Sequence, residues 1–233
     1  MNVKEIEVWL KELCQRLEET CSIYIFAGAA LALKNLKSAT KDIDLIFENR
    51  EDRSAFEKAL GARGCKNTYT GHPKSDHTGW SLNTSGETHL YFPGPYPFRI
   101  TPSMRKRSSP QFIFRRANIF VLAPEDLLLL KTYPRDSNSD EAKHMRPDDV
   151  SDVKALLTMD LKWTAIRKEI DAQVRSIIDD PNVLDKGSAR RVPNRFHLAL
   201  SSLKSESNIP TDVILWARRR SKSLERKRKS IDR

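Results

Sequence analysis

No apolar run in the 233-residue chain approaches the roughly 20 residues that a membrane-spanning helix needs. The opening stretch MNVKEIEVWLKELC is amphipathic, with acids and bases interspersed, unlike a signal sequence. These features predict a cytoplasmic protein with no membrane partner. Cysteine is scarce: Cys14, Cys21 and Cys65 are an odd count with no CxxC spacing, which argues against a disulfide framework or a zinc ribbon and leaves buried free thiols. His72, Asp76 and His77 complete no four-ligand zinc motif. Acids are absent from Thr88 to Pro124, where Arg99, Arg105, Lys106, Arg107, Arg115 and Arg116 occur. That stretch either faces the phosphates of a substrate or nucleic acid, with Arg105, Lys106 and Arg107 at its centre, or flanks solvent-exposed turns.

At 39% hydrophobic and 31% charged residues, the chain can hold one or two domains with a real core. Its net charge of +10 is unevenly placed. From Lys186 onward there are 14 Lys/Arg against 4 Asp/Glu, so the whole excess lies in that segment. Arg218, Arg219, Arg220, Arg226, Lys227, Arg228 and Lys229 form its densest part. Such a cluster is suited to neutralise the phosphates of a polyanion, RNA ahead of DNA, or to dock an acidic protein partner. The plainer alternative is a solvated helical face.

Apolar periodicity predicts a helix over 3–17, a strand over 23–26 and a helix over 30–37. A strand carrying Asp42 and Asp44 follows, then a helix over 53–60 with Asn49 or Asp52 as N-cap. Between Cys65 and Gly86 turn formers dominate, with one short strand near Trp80 and Leu82. Short strands are expected at 88–92, 98–100, 112–114 and 119–122. Ala123-Pro124-Glu125 reads as a helix start, with Pro124 near N1 and acids in the first turn. The polar segment 133–145 reads as a loop. Helices are expected at 147–157, 163–178, 195–203 and 211–229. The pattern implies an α/β (α+β) fold, a mixed sheet flanked by helices and followed by a helical C-terminal region. The expected domains are 1–160 and a basic helical segment, 161–233.

The organising stretch is Ile23 to Phe47, IYIFAGAALALKNLKSATKDIDLIF. Side chains alternate along a strand, so Asp42 and Asp44 share one face while Ile43 and Leu45 take the other. Two acids held side by side repel unless a cation sits between them, and a divalent metal is the usual solution.

Gly28-Ala29, the twelve residues Ala30 to Lys41, and Asp42-Ile43-Asp44 together resemble the signature of nucleotidyltransferases of the DNA polymerase beta superfamily. Thr40-Lys41 before the acids, the Pro124-Glu125-Asp126 helix leading to Lys131, and Arg146, Asp149 and Asp152 resemble one branch. That branch is a minimal nucleotidyltransferase-like domain of unknown function, common in archaea and bacteria. The similarity runs over about residues 20–175, outside the basic C-terminal segment.

The resemblance implies transfer of a nucleotide from an NTP to an acceptor hydroxyl of RNA, such as a tRNA end, or of a protein. It implies Mg²⁺ or Mn²⁺ on Asp42 and Asp44, and suggests a toxin–antitoxin setting with a cognate protein partner. Gly28, Ala29, Thr40 and Lys41 are then expected at the nucleotide. Lys131 either reaches the phosphates or is a lysine complementing a helix end. Arg146, Asp149 and Asp152 are either ion pairs or a docking surface. The family's third acid lies on a neighbouring strand, but Gly86-Glu87-Thr88-His89-Leu90 here puts His89 in that slot, with Glu87 two residues before it. Either residue serves as the third group, or the fold is catalytically degenerate and acts as a nucleic-acid-binding or partner-docking module.

Overall fold

A computed structural model of the chain describes residues 1–70, 76–82, 86–95, 97–133, 145–181, 186–206 and 209–231. The chain divides into two compact units, Met1–Ala123 and Pro124–Arg233. The division lies upstream of the boundary at 160 expected from sequence, because the helices after Ala123 pack with those that follow them.

In the first unit, Asn2 opens helix α1 (Val3–Cys14) with a capping box: its side chain accepts the Glu5 N–H, and the Glu5 carboxylate accepts the Asn2 N–H. Strand β1 (Cys21–Phe26), helix α2 (Ala27–Leu33), strand β2 (Ile43–Phe47) and helix α3 (Arg50–Ala62) follow. Then come β3 (Asn67–Thr70), β4 (Asp76–Ser81), β5 (Glu87–Phe92), α4 (Pro102–Arg107), β6 (Ser109–Phe114) and β7 (Ala117–Val121). The strands form one mixed seven-stranded sheet in the order β3-β4-β5-β2-β1-β7-β6. Strands β1 and β2 are central, which is why their apolar runs are nearly continuous.

Helix α3 packs on the sheet face that carries Phe47, whose ring centroid is 5.3 Å from that of Phe56. On the same face, Thr78 of β4 donates to Glu57 at 2.5 Å. Asn49 caps α3, its side-chain oxygen accepting the Asp52 N–H at 2.6 Å. Asn49→Ala is therefore expected to cost about 1 kcal/mol, read as a lower thermal midpoint with unchanged circular dichroism at 20 °C.

Several expectations for this unit are corrected: Asp42, expected on the strand with Asp44, lies just before β2, which starts at Ile43. The segment Cys65–Gly86 contains β3 and β4, hidden because their residues are polar and β4 is held by its ladder to β5. Residues 98–100 are not a strand; they lead into α4, where Thr101 accepts the Met104 N–H at 3.1 Å and Pro102 occupies the first turn. All three cysteines are buried. Burial, with a nearby thiol or carboxylate second, pushes Cys14 and Cys21 up to about 12, so they are poor nucleophiles.

The second unit is helical: α5 (Pro124–Lys131), α6 (Pro147–Leu157), α7 (Trp163–Asp179), α8 (Ser188–Ser202) and α9 (Thr211–Ile231). The expected loop over 133–145 falls largely outside the described residues. Helix α8 starts at Ser188, well before the expected Arg195, and keeps Pro193 in its interior, where the ring forgoes one backbone hydrogen bond. Among the described residues no helix is long and apolar enough to cross a membrane.

Candidate active site

The chain leaves β1 through Ala27, whose φ of 52° lies in the left-handed region. The sequence marks Gly28 as the relaxed residue of this turn, yet its glycine serves closeness instead. A Cβ on Gly28 would stand 2.5 Å from Thr40 Oγ1, so its absence lets the loop before Asp42 close onto α2. Thr40 Oγ1 in turn donates to the Asp42 carbonyl at 3.0 Å. Ala29 is fully buried and Lys41 exposed. Gly28→Ala is expected to cost about 1–3 kcal/mol through overpacking. Thr40→Ala in the same chain should recover part of that loss, read as a non-zero coupling in a double-mutant unfolding cycle.

Strand register then places Asp44. In the antiparallel pair β1/β2, Phe26 lies opposite Asp44; in the parallel pair β2/β5, Asp44 lies beside His89 and Ile46 beside Tyr91. Laterally paired residues point to the same face, so Phe26, Asp44, His89 and Tyr91 share the face opposite to α3. Asp44 is 6% exposed, and the Tyr91 hydroxyl donates to its Oδ1 at 3.4 Å. The Tyr91 ring meets Phe26 edge-on at 5.3 Å.

The third position is filled by a pair. Glu87 donates its backbone N–H to Asp42 Oδ1 at 3.1 Å, and its Oε2 lies 3.4 Å from His89 Nε2. Gly86 makes this approach possible: at φ 156° it passes so close to Lys41 that a Cβ would fall 2.2 Å from the Lys41 carbonyl oxygen.

His77 belongs to this cluster, although the sequence offered it only as part of an incomplete zinc motif whose His72 lies outside the described residues. Its Nε2 lies 3.1 Å from His89 Nδ1, and its ring stacks on Tyr91 at 4.3 Å and 6°. The register explains the reach. His77 opposes Tyr91 and Gly79 opposes His89, so no side chain blocks the diagonal from His77 to His89. The signal available in sequence was the alternation of His77 and Gly79 two residues apart.

Lys131 belongs to the second unit, where its Nζ lies 3.0 Å from Asp149 Oδ1 and 2.6 Å from Asp152 Oδ2. Arg146 Nε completes the cluster at 2.9 Å from Asp149 Oδ2. Burial opposes ionisation of Asp149, but Arg146 and Lys131 outweigh it and hold the carboxyl below its ordinary range.

The basic candidates are split between the units. On α4, Arg105 lies 3.3 Å from Glu48, Lys106 is exposed and Arg107 is half-buried. On α9, Arg218, Arg219 and Arg226 are exposed, whereas Arg220 is tied to Asp171 at 2.6 Å. The side chains of Lys227, Arg228 and Lys229 lie outside the described residues.

Among the described residues no three His, Cys, Asp or Glu side chains converge into a closed metal cage. Asp42 and Asp44 are the carboxylates of this cluster that could contribute to a hard-cation site shared with a ligand's phosphates.

No family model matches the chain, and no curated protein matches it by sequence. Among solved structures, the antibiotic-resistance factor ANT(2'')-Ia matches at 14% identity and TM-score 0.51, over 76% of this chain and 92% of that one. The lincomycin-bound lincosamide antibiotic adenylyltransferase LnuA matches at 14% identity and TM-score 0.43, over 66% of this chain and 94% of that one. The likeness to ANT(2'')-Ia is one of fold: the chain shares the mixed-sheet α/β architecture of that factor.

Proposed function

We propose that the chain is a nucleotidyltransferase that moves a nucleotide from an NTP to a hydroxyl of RNA, with a tRNA end as one candidate, or of a protein. The observation that carries this reading is the register that sets Asp44 beside His89 while Asp42 accepts the Glu87 N–H. Asp42 and Asp44 would hold Mg²⁺ or Mn²⁺, which when bound polarises the α-phosphate and neutralises the charge developing on it. Thr40 and Lys41 lead into this site, and the Gly28 turn keeps that loop close to α2.

In this reading the Glu87 carboxylate, held beside His89 Nε2, receives the acceptor's proton, and His89, bracketed by Glu87 and His77, orients it. As the acceptor oxygen bonds to the α-phosphorus, the bond to the bridging oxygen breaks and pyrophosphate leaves. Lys131 is not placed on the nucleotide, because its ammonium is committed to Asp149 and Asp152. A toxin–antitoxin role would follow if the acceptor were an essential RNA or protein.

The test is incubation of the full chain with each labelled NTP, Mg²⁺ or Mn²⁺, and three acceptor classes: total tRNA, bulk protein, and hydroxyl-rich antibiotics, the last suggested by the name of ANT(2'')-Ia. Label transferred to one class supports the reading. Absence of transfer from every NTP to every class overturns it.

One observation favours a second reading: an imidazole stands where the family places its third acid, and imidazole is a poorer partner than carboxylate for a hard cation. In that reading the fold is a binding module. Its nucleic-acid affinity would survive loss of both Asp42 and Asp44.

A further inference from the structure

We infer that the second unit carries a docking surface for the phosphate backbone of single-stranded RNA, formed by Arg218, Arg219, Lys222 and Arg226 of α9 with His197 of α8 at its edge. The proposed function enters only in naming RNA as the polyanion.

The stripe follows from how α9 is seated. Val213, Ala217 and Ser221, four residues apart, are buried, as is Ile214. That periodicity turns Arg218, Lys222 and Arg226 outward at the same spacing, with Arg219 beside them, and all four are exposed. From Arg218 to Arg226 the helix rises about 12 Å, enough to span several phosphates of a nucleic-acid strand.

The cations are also left uncompensated. Asp212 is paired with Arg167, and Glu225 lies 3.8 Å from Arg190, so neighbouring helices take up the described acids of α9. Arg220 is drawn to Asp171 and does not contribute. None of the four stripe residues has an acid partner among the described residues. His197 reports the resulting field: burial first, then Arg218 and Lys222, hold its imidazole below the ordinary value. Its Nδ1 lies 3.1 Å from Ser201 Oγ.

The kind of readout follows as well. Trp216, the aromatic residue of α9, is half-buried with the Arg167 guanidinium over one face of its ring at 5.7 Å, and the exposed stripe itself carries no aromatic residue for stacking. Contacts therefore go to phosphates, and binding is steeply salt-dependent and tolerant of sequence.

The experiment measures anisotropy of a labelled, mixed-sequence, single-stranded RNA with the full chain across a salt series. Four proteins are compared: wild type, the combined variant Arg218→Gln/Arg219→Gln/Lys222→Gln/Arg226→Gln, Arg220→Gln, and Asp42→Asn/Asp44→Asn. Each phosphate contact contributes about −0.7 to the slope of log K against log salt. The combined variant should bind at least tenfold more weakly at low salt, with a slope flatter by roughly 2–3. Arg220→Gln and the double aspartate variant should bind like wild type, so failure of the catalytic reading leaves this surface standing.

Undetectable wild-type binding near 50 mM salt, or a combined variant that binds as well as wild type, overturns the inference. Tighter binding of single-stranded DNA of the same sequence, or full competition by polyglutamate at equal charge, also overturns it by assigning the stripe to another partner.

Discussion

Under the proposed reaction, Asp44→Asn is expected to lower nucleotide transfer by at least roughly 10²–10³-fold while leaving the fold intact. The substitution keeps shape and removes only charge: the amide oxygen can still accept from the Tyr91 hydroxyl, which donates to Asp44 Oδ1 at 3.4 Å in the native chain. Asp42→Asn behaves in the same way, since its amide oxygen still accepts the Glu87 N–H. A neutral amide, however, no longer offsets the positive charge of a divalent cation, so both variants lose what the paired carboxylates supply. The two residues act as one unit, and the double variant should be little worse than either single one. Pyrophosphate release gives the rate, and the thermal midpoint separates lost chemistry from lost folding. Turnover by Asp44→Asn within a few-fold of wild type would remove Asp44 from the site.

What could be read from sequence here was local, and what could not was lateral. The apolar runs at Ile23–Phe26 and Ile43–Phe47 gave away the central strands, and the spacing from Gly28 to Asp42 gave away the turn between them. Which residue of β5 would stand beside Asp44 depends on the parallel register of β2 and β5. That register goes with the close passage of Gly86 by Lys41, a contact between segments far apart in sequence. His77 stayed hidden for the same reason, since its place against Tyr91 and His89 exists only once β4 pairs with β5.

Ala27 shows the opposite limit. A left-handed conformation at an alanine is a rule broken locally, and no reading of propensity would have put it there instead of at Gly28. The charge run on α9 was plain in sequence, but only packing distinguishes the outward Lys222 from the ion-paired Arg220.

The same distinction decides the role of Lys131, and Lys131→Met is expected to destabilise the second unit by about 3–5 kcal/mol. Its ammonium lies within 3.0 Å of Asp149 Oδ1 and 2.6 Å of Asp152 Oδ2, carboxylates only 7% and 6% exposed. Removing the cation leaves both acids in a poorly solvated place. Arg146 compensates weakly: it pairs with Asp149 at 2.9 Å but is itself 61% exposed, so water screens that pair. For that reason Arg146→Gln should cost about 1 kcal/mol or less.

The pH dependence has a definite sign. Asp149 is held below its ordinary value, so its contribution is present above the unfolded-state value near 4 and is lost as pH falls through the folded one. In Lys131→Met, Asp149 is stranded when ionised and relieved when protonated. The gap in thermal midpoint between wild type and variant should therefore be widest near neutrality and narrow below about pH 5. The triple variant Lys131→Met/Asp149→Asn/Asp152→Asn should regain much of the loss, because no uncompensated charge remains buried. A gap that does not change with pH, or a triple variant no better than the single one, would mean that Lys131 acts through packing of its stem and not through its charge.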